Sequence, residues 1–82
     1  MTLLASWHAQ LRWLQRVDPK ERYPGSAIRR AVENAEEIGT DGGGGRIVHD
    51  ERHNVELVIH RSAGVSTVAT VLPPGCRGGR GQ

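Results

Sequence analysis

The sequence predicts an α+β fold: two N-terminal helices packed on an antiparallel sheet of three strands, or four. Three observations carry this. Apolar residues recur at helical spacing up to Ile38 and alternate after Arg46. Ser6 and Ser26 stand where N-caps would open two helices, with Asp18-Pro19 and Gly39 as their stops. Pro73-Pro74 closes the last alternating run, because proline cannot donate to a strand ladder.

The first helix is expected over 6–17, with Leu4, Trp7, Leu11 and Leu14 facing the core and Trp13 to one side. A connector, 20–25, leads to a second helix over 26–38. Ile28, Ala31, Val32, Ala35 and Ile38 form its apolar face, and Arg29, Arg30, Glu33, Glu36 and Glu37 its wet one. Four consecutive glycines, 42–45, read as a flexible helix-to-strand connector. They lack the Lys-Ser/Thr ending that gives a phosphate loop its chemistry. Strands follow over 46–49, 55–61 and 65–72, with a polar turn at 50–54 and a three-residue loop at 62–64. That loop sets Arg61 opposite Val65. The helix-covered face then carries Val55, Leu57, Ile59, Thr67, Ala69 and Val71; the other carries Glu56, Val58, His60, Ser66, Val68 and Thr70. Any register that puts Val48 on the apolar face puts His49 on the polar one.

Eighty-two residues allow one domain, expected over 1–74, followed by a flexible Gly- and Arg-rich tail, 75–82. With no Phe and only Trp7, Trp13 and Tyr23 as aromatics, the core is small, and a homodimer or a bound partner would add to it. Net charge is +2, which mildly favours polyanions without demanding nucleic acid. Cys76 is the only cysteine, so an internal disulfide and a cysteine zinc cluster are both excluded. No apolar run approaches the roughly 20 residues that span a bilayer. The expectation is a cytoplasmic protein with no membrane partner and no cofactor.

The candidate chemistry begins with His8, Arg12 and Arg16, four apart on one helix face. An imidazole moves a proton near neutral pH, and two guanidiniums clamp phosphate oxygens, so the ladder suits a phosphate ester. A solvated face, with the arginines paired to Glu33, Glu36 or Glu37, accounts for the same spacing. His60 shares a sheet face with Glu56, Ser66 and Thr70, a second acid/base grouping or an ordinary wet face. His49 and His53, four apart near a turn, lack an obvious third metal ligand beyond Asp50 or Glu51. Arg77-Gly-Gly-Arg80-Gly is a single short echo of RNA-binding RGG segments.

The order of elements, with His8-Ala9, Arg12 and Arg16 on the first helix and Val68-Ala69-Thr70-Val71-Leu72-Pro73 at the end, resembles small RelE-like and colicin-like ribonuclease toxins of the barnase/EndoU/colicin/RelE superfamily. The resemblance implies an α+β fold with helices on one face of a curved antiparallel sheet. It also implies a metal-independent endoribonuclease acting on single-stranded or ribosome-associated RNA, with an antitoxin protein as partner. His8 matches the helix histidine, Arg12 and Arg16 the helix basics, and Thr70 the strand hydroxyl. The chain departs from such toxins in its low net charge and in having only Arg61 as a basic residue near the end of a late strand. A non-catalytic binding or regulatory protein on the same scaffold, plasmid- or virus-encoded, is the other reading. A small dimeric regulator using Trp13 and a sheet edge is a third.

Overall fold

A computed structural model describes residues 2–40 and 42–73. The class is α+β, with two helices and a five-stranded mixed sheet. The elements run β1 (Thr2–Ala5), α1 (Trp7–Arg16), α2 (Pro24–Glu33), β2 (Glu36–Thr40), β3 (Arg46–Asp50), β4 (Val55–Ser62) and β5 (Val65–Leu72). The strand order is β1-β5-β4-β3-β2. β2 to β5 form an antiparallel meander, and β1 joins β5 in parallel at the far edge. The expected three-stranded antiparallel sheet is therefore corrected on two counts. It has five strands, and the helices are preceded by a strand rather than opening the chain.

Both added strands sit at edges and carry little signal of their own. β1 is only four residues long and pairs with a strand some sixty residues away in sequence. β2 reads Glu-Glu-Ile-Gly-Thr, and its Ile38 falls in phase with the helix before it, which disguised the change of period. The chain in fact leaves α2 at Asn34, whose N–H reaches back to the Ala31 and Val32 carbonyls. The second helix thus spans Pro24–Glu33 rather than 26–38. It opens on Pro24, whose missing N–H costs nothing at a first helical position, and not on a Ser26 cap. The glycine run links two strands, β2 and β3.

α1 begins where expected. Ser6 is its N-cap, and its hydroxyl accepts the Ala9 N–H at 3.0 Å. Its phase is not as expected. Ala9 and Trp13 face the core, whereas Trp7, 74% exposed, and Leu11 point to solvent, as does Leu4 on β1. The stripe turned inward is Ala9-Trp13, continued by half-buried Val17. Trp13 is a central core residue rather than an interface, and the dimeric reading loses that part of its basis.

The core is one layer between the helices and one sheet face. Ala9, Trp13, Ile28 and Ala31 come from the helices, and Val48, Val55, Leu57, Ile59, Val68 and Val71 from the sheet. Val48 inward and His49 outward agree with the expected alternation. The β4–β5 register is corrected. The turn has two residues, Ala63 and Gly64, both at positive φ (53 and 80), and Ser62 pairs with Val65. His60 then faces Thr67, and Ile59 faces Val68. A bulge follows, so that Val58 pairs with Thr70 and Ala69 has no opposite residue. Val68 takes the core position assigned to Thr67 and Ala69, while Glu56, Val58, His60 and Thr70 remain on the helix-free face. Ile47 and Val58 are buried on that second face, outside the core cluster. The expected tail, 75–82, with Cys76 and the Arg-Gly segment, lies outside the described residues. Among the described residues no helix is long and apolar enough to cross a membrane.

Candidate functional site

The start of α1 is bound to β5 by one residue. The Ser6 N–H donates to the Val68 carbonyl at 3.0 Å, and the Ser6 hydroxyl donates to the Ala69 carbonyl at 3.1 Å. Ala69 is the bulged residue, so its carbonyl is turned from the ladder and taken by the cap. Gln10 closes the corner by donating from Nε2 to the Ala5 carbonyl at 3.1 Å. The junction sets His8 two residues beyond Ser6, at the positive end of a ten-residue helix. Replacing Ser6 with Ala should remove both the cap and the inter-element tie. We expect a loss of about 1–2 kcal/mol in chemical denaturation, and a loss below a few tenths would show that the junction does not depend on the hydroxyl.

On α1, His8 and Arg16 are exposed and Arg12 is half-buried. Arg12 Nε donates to His8 Nε2 at 3.4 Å, a long contact that marks Nε2 as the lone-pair nitrogen. Its Nη1 donates to Gln15 Oε1 at 2.7 Å. The glutamates considered as alternative partners lie elsewhere. Glu37 sits 3.9 Å from Arg46 across β2–β3, and among the described residues no carboxylate pairs with Arg12 or Arg16. The cationic ladder is therefore open.

Thr70 is half-buried beside the junction, opposite Val58, and no hydrogen bond joins its side chain to the ladder among the described residues. His60 is exposed on the helix-free face, two residues along β4 from Val58 and opposite Thr67. Glu56, expected to be solvated, is buried there opposite Leu72. Ser66 leaves this group, since its pairing with Arg61 turns it to the helix side. The structure thus keeps His8, Arg12 and Arg16 together and leaves both Thr70 and His60 on the helix-free face.

The two histidines near the turn diverge. His49 lies on the helix-free face, 3.3 Å from Asn54 Oδ1. His53 turns to the other side, where its Nδ1 meets Asp50 Oδ2 at 2.5 Å. Among the described residues no three His, Cys, Asp or Glu side chains are grouped to hold a metal ion. Asp50 and His53, with Trp13, Arg30 and Arg52, border a cavity whose only trace in the sequence is the spacing Asp-x-x-His in a turn.

No family model matches the chain, and no curated protein or solved structure matches it.

Proposed function

We propose that the protein is a toxin-type, metal-independent endoribonuclease that cleaves single-stranded or ribosome-associated RNA at the α1–β5 junction. The observation that carries the reading is the open ladder itself: a His8 lone pair and two guanidiniums without carboxylate partners, on a helix whose start is tied to the Ala69 carbonyl. The reaction would be attack of a ribose 2′-oxygen on the adjacent phosphorus with departure of the 5′-oxygen. His8 accepts the 2′-hydroxyl proton. Arg12 turns from the imidazole to the phosphate and, with Arg16, neutralises the charge that builds on its oxygens. Thr70 and His60 lie on the helix-free face, so the leaving 5′-oxygen takes its proton from water. These roles need no metal, so the purified protein is expected to cleave RNA in EDTA. Its induced expression is expected to arrest growth unless an antitoxin protein is supplied. No cleavage of any single-stranded RNA or of ribosomes, with no arrest, would remove the reading.

A second reading is favoured by one observation. Trp7 and Leu11, one turn apart on α1, are both solvent-facing, an apolar stripe that suits a non-catalytic binding or regulatory protein. It predicts a partner-dependent loss of Trp7 exposure and no RNA cleavage.

A further inference from the structure

A cavity of about 610 Å³ opens between the end of α1, α2 and the turn after β3, on the helix side of the sheet. Small-molecule sites span roughly 300–1,000 Å³. The wall contains a fixed imidazole. The Asp50 side chain is only 2% exposed, and its Oδ1 accepts the Arg52 N–H at 3.1 Å while Oδ2 meets His53 Nδ1 at 2.5 Å. A carboxylate only accepts, so the His53 Nδ1–H donates to Asp50. Trp13 packs on the imidazole edge to face, with centroids 4.9 Å apart. The His53 side chain is still 34% exposed, and among the described residues its Nε2 has no hydrogen-bond partner.

The charges around this ring are sorted by wall. Arg30 on α2 and Arg52 on the turn border the cavity, and among the described residues neither guanidinium has a partner. Asp18 and Glu21, on the segment leaving α1, form the acidic side. Each has one oxygen occupied by a backbone N–H, that of Lys20 at 3.0 Å and that of Tyr23 at 3.1 Å. A bare anion would meet the cations and also the two carboxylates. A ligand with a phosphate at one end and paired hydrogen-bond donors at the other satisfies both walls.

We propose that this cavity binds a guanine nucleotide: the phosphate on Arg30 and Arg52, the base edge on Asp18 and Glu21. Guanine presents N1–H and N2–H side by side, a match for a carboxylate. Cytosine presents its amino group next to a ring acceptor, which a carboxylate repels. The site is separate from the His8 ladder and does not depend on the ribonuclease reading.

The test is isothermal titration of the full chain with guanosine 5′-monophosphate, cytidine 5′-monophosphate and inorganic phosphate. Guanosine monophosphate is expected to bind saturably below about 1 mM and about tenfold or more tighter than the other two. Arg30→Gln and Arg52→Gln should each weaken it by about 10–100-fold, the loss of one charge-assisted contact. Both are exposed positions, so their melting temperatures should not move. Glu21→Gln should erase the preference for guanine over cytosine, and His8→Ala should leave binding unchanged. Absent saturation, binding untouched by either Arg variant, or equal affinity for inorganic phosphate would each overturn the proposal.

Discussion

Replacing His8 with Ala is expected to lower RNA cleavage by about 10²–10⁴-fold, the usual contribution of a positioned general acid or base. The position makes this a clean experiment. His8 is exposed on the first turn of α1 and contributes nothing to the core, so the variant should fold and melt like the wild type. The neighbouring residues separate chemistry from binding. Arg12→Ala removes one of the two guanidiniums that have no carboxylate partner and should reduce both turnover and RNA affinity. Arg16→Lys keeps charge but not the bidentate fork, and should fall between wild type and the alanine variant. The measurement is single-turnover cleavage of a labelled RNA. A His8→Ala protein within a factor of about three of wild type would take the proton transfer away from His8.

The second large effect concerns the core. Trp13→Ala is expected to cost about 3–5 kcal/mol, the range for deleting a buried aromatic ring. Trp13 is 1% exposed and packs in the cluster with Ala9, Ile28 and Ala31. A domain this small loses roughly 4–8 °C of melting temperature per kcal/mol, so the variant should melt far below the wild type. Trp7→Ala removes an identical side chain three-quarters exposed on the same helix, and should change stability by no more than about 0.5 kcal/mol. Comparing the two melts fixes the rotation of α1 about its axis. Equal losses, or a larger loss at Trp7, would mean that the helix presents the Leu4-Trp7-Leu11-Leu14 stripe to the sheet.

That rotation shows where the sequence stops being readable. Periodicity finds a helix but not always its inward face when two apolar stripes compete. Here Trp7-Leu11-Leu14 is the bulkier pattern, yet Ala9-Trp13-Val17 is the one packed into the core. The boundaries governed by local chemistry were legible: the Ser6 cap, the stop before Asp18-Pro19, the strands up to Leu72. Features set by distant pairing were not. β1 is defined by Val65–Val68, β2 by β3, and the bulge at Ala69 by the competition between a ladder bond and the Ser6 hydroxyl. For the ladder, helical spacing alone placed His8, Arg12 and Arg16 on one face, and the Arg12–His8 contact follows from it. The Asp50–His53 pair was hidden because a turn has no period. Only the fold brings Trp13 and α2 over it.

The ribonuclease reading makes one demand that no binding protein meets: the attacking atom is the substrate's own 2′-oxygen. The direct measurement is cleavage, in EDTA, of a matched pair of RNA oligonucleotides that differ only by a 2′-deoxy nucleotide at the scissile position. The account predicts that the all-ribose strand is cut to a 2′,3′-cyclic phosphate end while the deoxy-substituted strand stays intact. Cutting of both strands, or of neither until a divalent metal is added, would contradict it.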